Sequence, residues 1–128
     1  MHSLYKDYLL DHYRYPRNAG ILVDANCGAQ QENPSCGDAV SMTGRVERGV
    51  MREVRFAARG CVICVAGASL LSDQIIGLTV QEIGFLDATT MITLLGIPLG
   101  PTRLKCALLP LYALHDALKN YAKTVTGQ

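Results

Sequence analysis

The chain has 128 residues, of which 49% are hydrophobic and 18% charged, and its formal net charge is +1. This length suits one hydrophobic core, and the composition excludes the weakly hydrophobic, highly charged class of disordered chains. A net charge near zero gives no extended positive potential that would attract nucleic acid or an anionic membrane. The longest uncharged run, residues 88–102, contains two glycines and two prolines, and it is shorter than the roughly 20 apolar residues of a membrane span. We therefore expect one domain over residues 1–128, with no nucleic-acid or membrane partner.

Five cysteines stand out in this composition: Cys27, Cys36, Cys61, Cys64 and Cys106. The opening residues 1–13 mix charged residues with tyrosines and lack the apolar stretch of a signal peptide, so we expect a reducing, cytoplasmic compartment. In such a compartment, thiols at this density are more typical of metal binding or sulfur chemistry than of disulfides.

The first half of the chain predicts one helix and a hairpin. Apolar and tyrosine spacing indicates a helix over residues 3–14, with Ser3 as N-cap. Residues 21–38 are rich in Gly, Asn, Gln and Pro and predict mainly loop, with at most one short strand. Alternating residues over 39–47 and 52–58 predict an antiparallel hairpin that turns at Arg48-Gly49.

The second half of the chain predicts helices. Small and apolar residues at helical spacing indicate a buried helix from Gly60 to about Gly77, and Thr79 with Glu82 reads as a capping box for a short helix. A second short helix is predicted over 88–95, and a long apolar helix with Thr102 as N-cap to about Tyr121. The predicted fold class is therefore α+β, with helices packed on one face of a small antiparallel sheet of about three strands.

Three cysteines fall at the ends of predicted elements, and an aspartate accompanies the first of them. Cys36 and Asp38 are two residues apart in a Pro- and Gly-containing loop, so they can converge on one point. Cys61 follows a strand and opens a helix, and Cys106 lies near the start of the last helix, where the positive helix end favours thiolate. Three thiolates and one carboxylate can bind zinc, or iron together with sulfide. The alternative for any one cysteine is a small buried apolar side chain.

Four segments of the chain carry a resemblance to a known family. They are Asp11-His12-Tyr13-Arg14-Tyr15-Pro16-Arg17-Asn18-Ala19-Gly20, Asn33-Pro34-Ser35-Cys36-Gly37-Asp38, Gly60-Cys61 with Ala68-Ser69-Leu70-Leu71-Ser72-Asp73, and Lys105-Cys106-Ala107-Leu108. In order and spacing they resemble the U-type iron–sulfur cluster scaffolds, the IscU/SufU/NifU N-terminal family. The match covers roughly residues 5–121.

The resemblance implies that Cys36, Asp38, Cys61 and Cys106 surround a site for a transient [2Fe-2S] cluster or a zinc ion. It also implies a cysteine desulfurase that passes persulfide to Cys36, Cys61 or Cys106, and apo iron–sulfur proteins as recipients of the cluster. The function expected is thus that of a non-enzymatic assembly scaffold.

Some residues depart from the scaffold branch of that family and keep an alternative open. Lys105 replaces the histidine found before the last cysteine, and we expect it to offset negative charge or steady a persulfide. Lys105 is closer to the branch of zinc-dependent sulfur acceptors, so a SufU-like sulfurtransferase is the alternative function. The interval between Cys61 and Cys106 is the short, scaffold-like one. The segment 99–103 departs from the family's chaperone-recognition pattern, which weakens the expectation of a chaperone pair as partner. A structural zinc domain is a third alternative.

The remaining candidates are Cys64 and three residues expected to lie outside the site. Cys64 follows Cys61 by three residues, so it is either a further ligand or resolving thiol, or a buried small side chain. Cys27 is expected to be a bystander, and His12 to face the surface or a partner. His115 should face away from the site, because it lies about two and a half turns beyond Cys106.

Overall fold

The fold is described by a computed structural model that covers residues 6–125, with side chains for residues 6–122. These residues form five helices and three strands. In chain order they are α1 Asp7–Arg14, β1 Cys27–Asn33, β2 Asp38–Glu47, β3 Val50–Arg59, α2 Val62–Ile75, α3 Val80–Gly84, α4 Ala88–Leu95 and α5 Pro101–Val125. The strands form one antiparallel sheet in the order β1-β2-β3. The predicted α+β class is confirmed.

Alternation along β2 shows how the sheet separates its two faces. Val40, Met42 and Val46 are buried against the helices, whereas Ser41 and Thr43 between them are only partly buried. The turn from β2 to β3 has positive φ at both Arg48 (52°) and Gly49 (75°). Two such residues make the two-residue hairpin turn whose twist matches the flanking strands. The predicted hairpin is therefore confirmed.

β1 occupies seven residues of the segment predicted to be mainly loop. Its sequence has little intrinsic strand preference, because glycine, glutamine and asparagine predominate. β1 is held by its backbone hydrogen bonds to β2, which the local sequence does not predict. The pairing runs from Cys27 opposite Gly44 to Asn33 opposite Asp38. The sequence predicted at most one short strand here, because β1 is stabilised by pairing with β2 and not by its own residue preferences.

The core lies between one face of the sheet and helices α2, α4 and α5. Of the 14 residues of α2, nine are buried. α5 packs on β1 and β2, and α2 packs on β3. This arrangement brings the start of α2 and the second turn of α5 to the end of the sheet where β2 begins. No helix within residues 6–125 is long and apolar enough to cross a membrane.

The helix ends confirm one prediction and correct two. Thr79 and Glu82 form the predicted capping box at α3. Pro101, not Thr102, begins α5, because a proline at the first helical position loses no hydrogen bond there. α1 begins at Asp7 with Lys6 as its N-cap, and the predicted N-cap Ser3 lies outside the described residues.

Hydrogen bonds to buried serines of α2 attach the N-terminal segment to the core. Nδ1 of His12 lies 2.6 Å from Oγ of Ser69, which also accepts the backbone N–H of Arg17 at 2.9 Å. Nδ2 of Asn18 donates to Oγ of Ser72 at 3.0 Å and to Asp73 at 2.9 Å. His12 was expected to face the surface or a partner; its ring is partly exposed and also contacts Ser69 of α2. Burial, followed by the positive charge of Arg17, lowers the pKa of His12.

The His12 contact predicts a pH-dependent stability. Since the pKa of His12 is lowered in the folded chain, the unfolded chain binds more protons below about pH 6.5, and the free energy of unfolding must fall as the pH is lowered through that range. We expect His12→Gln to reduce this loss between pH 7 and 5, measured by urea unfolding at several pH values. Equal slopes for wild type and His12→Gln would contradict the assignment.

Candidate sulfur and metal site

Cys36 is presented by a tight loop between β1 and β2. The backbone N–H groups of Cys36 and Gly37 donate to the carbonyl of Asn33 at 3.3 and 2.9 Å, and Gly37 has φ of 77°. Nε of Arg59, at the end of β3, donates to the carbonyl of Gly37 at 3.4 Å. The loop is thus tied to both neighbouring strands, and the thiol of Cys36 is exposed at its tip.

Asp38 is the first residue of β2, and its carboxylate points inward, where it is only 3% exposed. The space for this carboxylate comes from Gly60. A Cβ added at Gly60 would stand 2.3 Å from Oδ1 of Asp38, and Gly60 has φ of 151°. Residue 60 must therefore be glycine for two reasons, the close approach of the carboxylate and the backbone conformation.

Cys61 is the N-cap of α2, at the predicted junction between strand and helix. Its thiol is exposed and donates to Oδ2 of Asp38 at 3.7 Å. Its backbone carbonyl accepts the N–H of Val65 at 3.1 Å, which closes the first turn of the helix. Cys61 and Asp38 therefore meet at the end of the sheet, although they lie 23 residues apart.

Cys106 is buried, at 5% exposure, and faces the same carboxylate from α5. Burial raises the pKa of Cys106, and the hydrogen bond to Asp38 and the proximity of Cys61 add to the effect. The helix dipole acts mainly within the first turn of a helix. Because α5 begins at Pro101, Cys106 lies beyond that turn, and the expected stabilisation of its thiolate by the helix start is absent. The metal-free thiol is therefore held in its protonated form.

Ligand atoms of Cys36, Asp38 and Cys106 all lie within 4.8 Å of one another, a spacing at which they can hold a metal ion. Cys61 lies outside this group of three, but its thiol contacts Oδ2 of Asp38 at 3.7 Å. The four residues come from a loop, a strand, a helix cap and a second helix, and the carboxylate lies among the thiols.

The two other cysteines are both buried. Cys27 packs in the core beside Gly44 and Met51, which supports the prediction of a bystander. Cys64 is fully buried on α2, and burial, with the negative charge of Asp38 as the next cause, raises its pKa to about 12. Cys61 and Cys64 both lie outside the group of three close ligand atoms, but Cys61 is exposed and its thiol contacts Asp38, so the burial of Cys64 favours a small buried side chain over a further ligand.

Lys105 lies next to the candidate site, whereas His115 lies away from it. Lys105 is exposed and lines a groove of about 250 Å³ together with Asn33 and Pro34, which precede Cys36. A positive charge is thus available next to the sulfur site. His115 contacts the carbonyl of Ile83 at 3.2 Å and faces away from the site, as predicted.

Sequence reasoning missed the role of Gly60 and of the serines of α2. Gly60 was recognised only as the residue before Cys61, although a glycine between a strand and a helix indicates a close approach to be explained. Ser69 and Ser72 interrupt an otherwise apolar helix, and this pattern signals buried polar partners.

These features define a small α+β protein in which thiols and one buried carboxylate form a group that could hold a metal ion. The model of the NifU-like N-terminal domain matches residues 4–127. The chain belongs to that family, which confirms the predicted resemblance.

Relatives carry the names of both branches. The chain is 39% identical over 119 residues to the iron-sulfur cluster assembly scaffold protein IscU of Aquifex aeolicus, covering 91% of this chain and 75% of that protein. It is 30% identical over 133 residues to the zinc-dependent sulfurtransferase SufU of Bacillus subtilis, covering 91% and 90%. A crystal structure described as a putative iron-sulfur cluster assembly scaffold protein for the SUF system, from Fervidobacterium islandicum, matches with a TM-score of 0.75 at 27% identity, covering 90% of this chain and 96% of that one.

The close approach of Gly60 to Asp38 predicts that a larger side chain at residue 60 weakens metal binding. A methyl group at residue 60 must displace the carboxylate, so we expect Gly60→Ala to weaken Zn²⁺ or Co²⁺ binding by about tenfold or more, a loss of at least about 1.4 kcal/mol. Metal titration monitored by calorimetry measures it.

Gly49→Ala is the matched control. Gly49 also has positive φ, but nothing lies within 4 Å of a Cβ at that position. It should cost about 1 kcal/mol of stability through backbone strain and leave metal affinity unchanged. Equal metal affinity in the two variants would contradict the role assigned to Gly60.

Proposed function

We propose that this protein is an iron–sulfur cluster assembly scaffold. It accepts sulfur from a cysteine desulfurase and ferrous iron, assembles a transient [2Fe-2S] cluster at Cys36, Asp38, Cys61 and Cys106, and transfers the cluster to apo iron–sulfur proteins. The convergence of Cys36, Asp38 and Cys106 within 4.8 Å, with Cys61 against the same carboxylate, is the observation that carries the proposal. The names of the similar proteins support it.

The four ligands suit temporary rather than permanent holding of the cluster. Thiolates are soft ligands that iron–sulfur clusters prefer, whereas the carboxylate of Asp38 is a harder and weaker one. Three thiolates and one carboxylate carry four negative charges, and Arg59 and Lys105 are the nearby residues that moderate them. A site with one weak ligand releases its cluster more easily than a site with four cysteines.

The exposed thiols are those of Cys36 and Cys61, so a sulfur donor approaching from solvent meets these two first. Cys106 is buried, but its sulfur lies within 4.8 Å of the ligand atoms of Cys36 and Asp38. Sulfane sulfur that reaches Cys36 is therefore close enough to pass to Cys106 after a small movement.

Anaerobic reconstitution tests this function. With a cysteine desulfurase, cysteine and ferrous iron, we expect the wild type to develop the visible absorption of a [2Fe-2S] cluster, and Cys36→Ser, Cys61→Ser and Cys106→Ser each to lose most of it. Cys27→Ser is the control and should reconstitute normally, because Cys27 lies in the core away from the site. A wild type that takes up no iron under these conditions would overturn the scaffold function.

The alternative is a zinc-dependent sulfur acceptor. The presence of Lys105 and the similarity to the SufU of Bacillus subtilis favour it, and one Zn²⁺ can take the same four ligands. Stoichiometric zinc that blocks cluster formation while it increases desulfurase turnover would select this alternative. Zinc that iron and sulfide displace would select the scaffold.

Cluster release provides a further prediction. Replacing the hard oxygen ligand by a fourth thiolate in Asp38→Cys should slow transfer of the cluster to an apo-ferredoxin by about tenfold, because soft ligands hold the cluster more strongly. Circular dichroism in the visible range follows the transfer. Transfer at the wild-type rate from a fully loaded Asp38→Cys variant would show that Asp38 does not control release.

A further inference from the structure

We propose that Cys61 and Cys64 form a dithiol pair that reduces a persulfide on Cys61 to free hydrosulfide by closing an internal disulfide. The inference extends the proposed function, because it rests on the delivery of sulfane sulfur to this site. It assigns a chemical role to a thiol, that of Cys64, which metal binding does not use.

The positions of the two cysteines on α2 are those of an interacting pair. Cys61 is the N-cap, and Cys64 is the third helical residue after it. The same relation occurs at two other helices of this chain, where Thr79 with Glu82 and Asp87 with Thr90 exchange hydrogen bonds in both directions. The backbone angles of Cys61, −73° and 170°, nearly equal those of Thr79, −74° and 158°. At both of these other helices, the N-cap and N3 side chains each accept the backbone N–H of the other residue, whereas the Cys61 side chain makes no such hydrogen bond and contacts Asp38 instead.

The separation suits a disulfide. Side chains three residues apart on a helix have Cβ atoms about 5 to 6 Å apart, and a disulfide joins Cβ atoms about 3.5 to 4.5 Å apart. A closure on the order of 1 Å is therefore required. The first turn of a helix can supply it, because its N–H groups have no partner within the helix. Cys61 must also turn away from Asp38, which its thiol contacts at 3.7 Å.

Reduction of a persulfide by a second thiol needs one exposed thiol that accepts sulfur and one thiol that the sulfur donor does not reach. Cys61 is exposed and can receive sulfur, whereas Cys64 is fully buried and is shielded from an external sulfur donor. Cys64 is the third residue after Cys61, so the two residues share the first turn of α2. Cys64 can thus react with sulfur on Cys61 without competing for it.

The reaction balances without an external oxidant. Burial keeps the Cys64 thiol protonated, so its proton passes to the outer sulfur of the Cys61 persulfide anion as Sγ of Cys64 attacks Sγ of Cys61. The bond between Cys61 Sγ and the outer sulfur breaks in the same step. The bonding electron pair leaves on the outer sulfur, which departs as HS⁻. The persulfide anion and one thiol thereby become one Cys61–Cys64 disulfide and one hydrosulfide ion. A dithiol reductant of the thioredoxin class then restores both thiols before Cys61 can bind iron.

A small sulfur donor tests the proposal independently of any desulfurase or iron. The reduced chain is treated anaerobically with sodium tetrasulfide, desalted, and followed by intact mass, peptide mapping and assay of released sulfide. We expect the wild type to release about one sulfide per persulfide on Cys61 and to acquire a Cys61–Cys64 disulfide, so that the mapped peptide containing both cysteines is about 2 Da lighter than in the reduced chain. Cys64→Ser and Cys64→Ala should keep the persulfide and release sulfide at least about tenfold more slowly. Cys27→Ser, which also alters a buried cysteine, should behave as the wild type.

Two results would overturn the thiol pair: a wild-type persulfide that persists without a Cys61–Cys64 disulfide, or release of sulfide from both Cys64 variants at the wild-type rate. The use of two substitutions keeps the test valid if one of them fails to fold. Failure of the proposed scaffold function would be seen separately, as absence of cluster formation when iron and an external reductant are supplied to the wild type.

Discussion

The burial of the Asp38 carboxylate determines how the residues of the candidate site are arranged. Asp38 is 3% exposed, and its side chain fits only because Gly60 presents no Cβ, which would stand 2.3 Å away. A buried carboxylate needs compensation, since the free-energy cost of removing a charge from water is large unless partners satisfy it. The thiol of Cys61 donates to it at 3.7 Å, and the sulfur of Cys106 lies within 4.8 Å of it. The same contacts that satisfy Asp38 bring the thiols to one point.

This arrangement links the fold to chemistry. Cys61 and Cys106 belong to α2 and α5, the helices that pack on the sheet, so their positions are set by the core rather than by a flexible loop. Cys36 alone lies on a loop, which Arg59 and Asn33 tie to the neighbouring strands. Because the ligands come from separate elements that the core positions, we expect the site to form without metal, unlike a zinc finger that folds around its ion. Metal and sulfur are then free to enter and leave.

Much of this organisation could be predicted from the sequence. The hairpin was predictable because the two-residue turn and the alternation both act locally, and the capping box at Thr79 is likewise a local signal. β1 was underestimated because its pairing with β2 is tertiary. The direction of the pKa shift of Cys106 was wrong, since the depth of a side chain and the helix start at Pro101 follow from packing that spacing does not reveal. The role of Gly60 depends on a contact across 22 residues of sequence, between the end of β3 and the start of β2.

The five cysteines divide by position into three classes. Cys36, Cys61 and Cys106 surround Asp38, Cys27 fills the core, and Cys64 is buried on the helix that Cys61 caps. Burial alone would group Cys64 with Cys27. The helical relation between Cys61 and Cys64 separates them, because Cys64 shares the first turn of α2 with an exposed thiol.

X-ray absorption spectroscopy of the zinc-loaded protein tests the central claim, that three thiolates and the Asp38 carboxylate form one metal site. The account predicts three sulfur ligands at about 2.3 Å and one oxygen ligand at about 2.0 Å, with the oxygen lost in Asp38→Ala. A first shell that contains histidine nitrogen, or that is unchanged in Asp38→Ala, would contradict it.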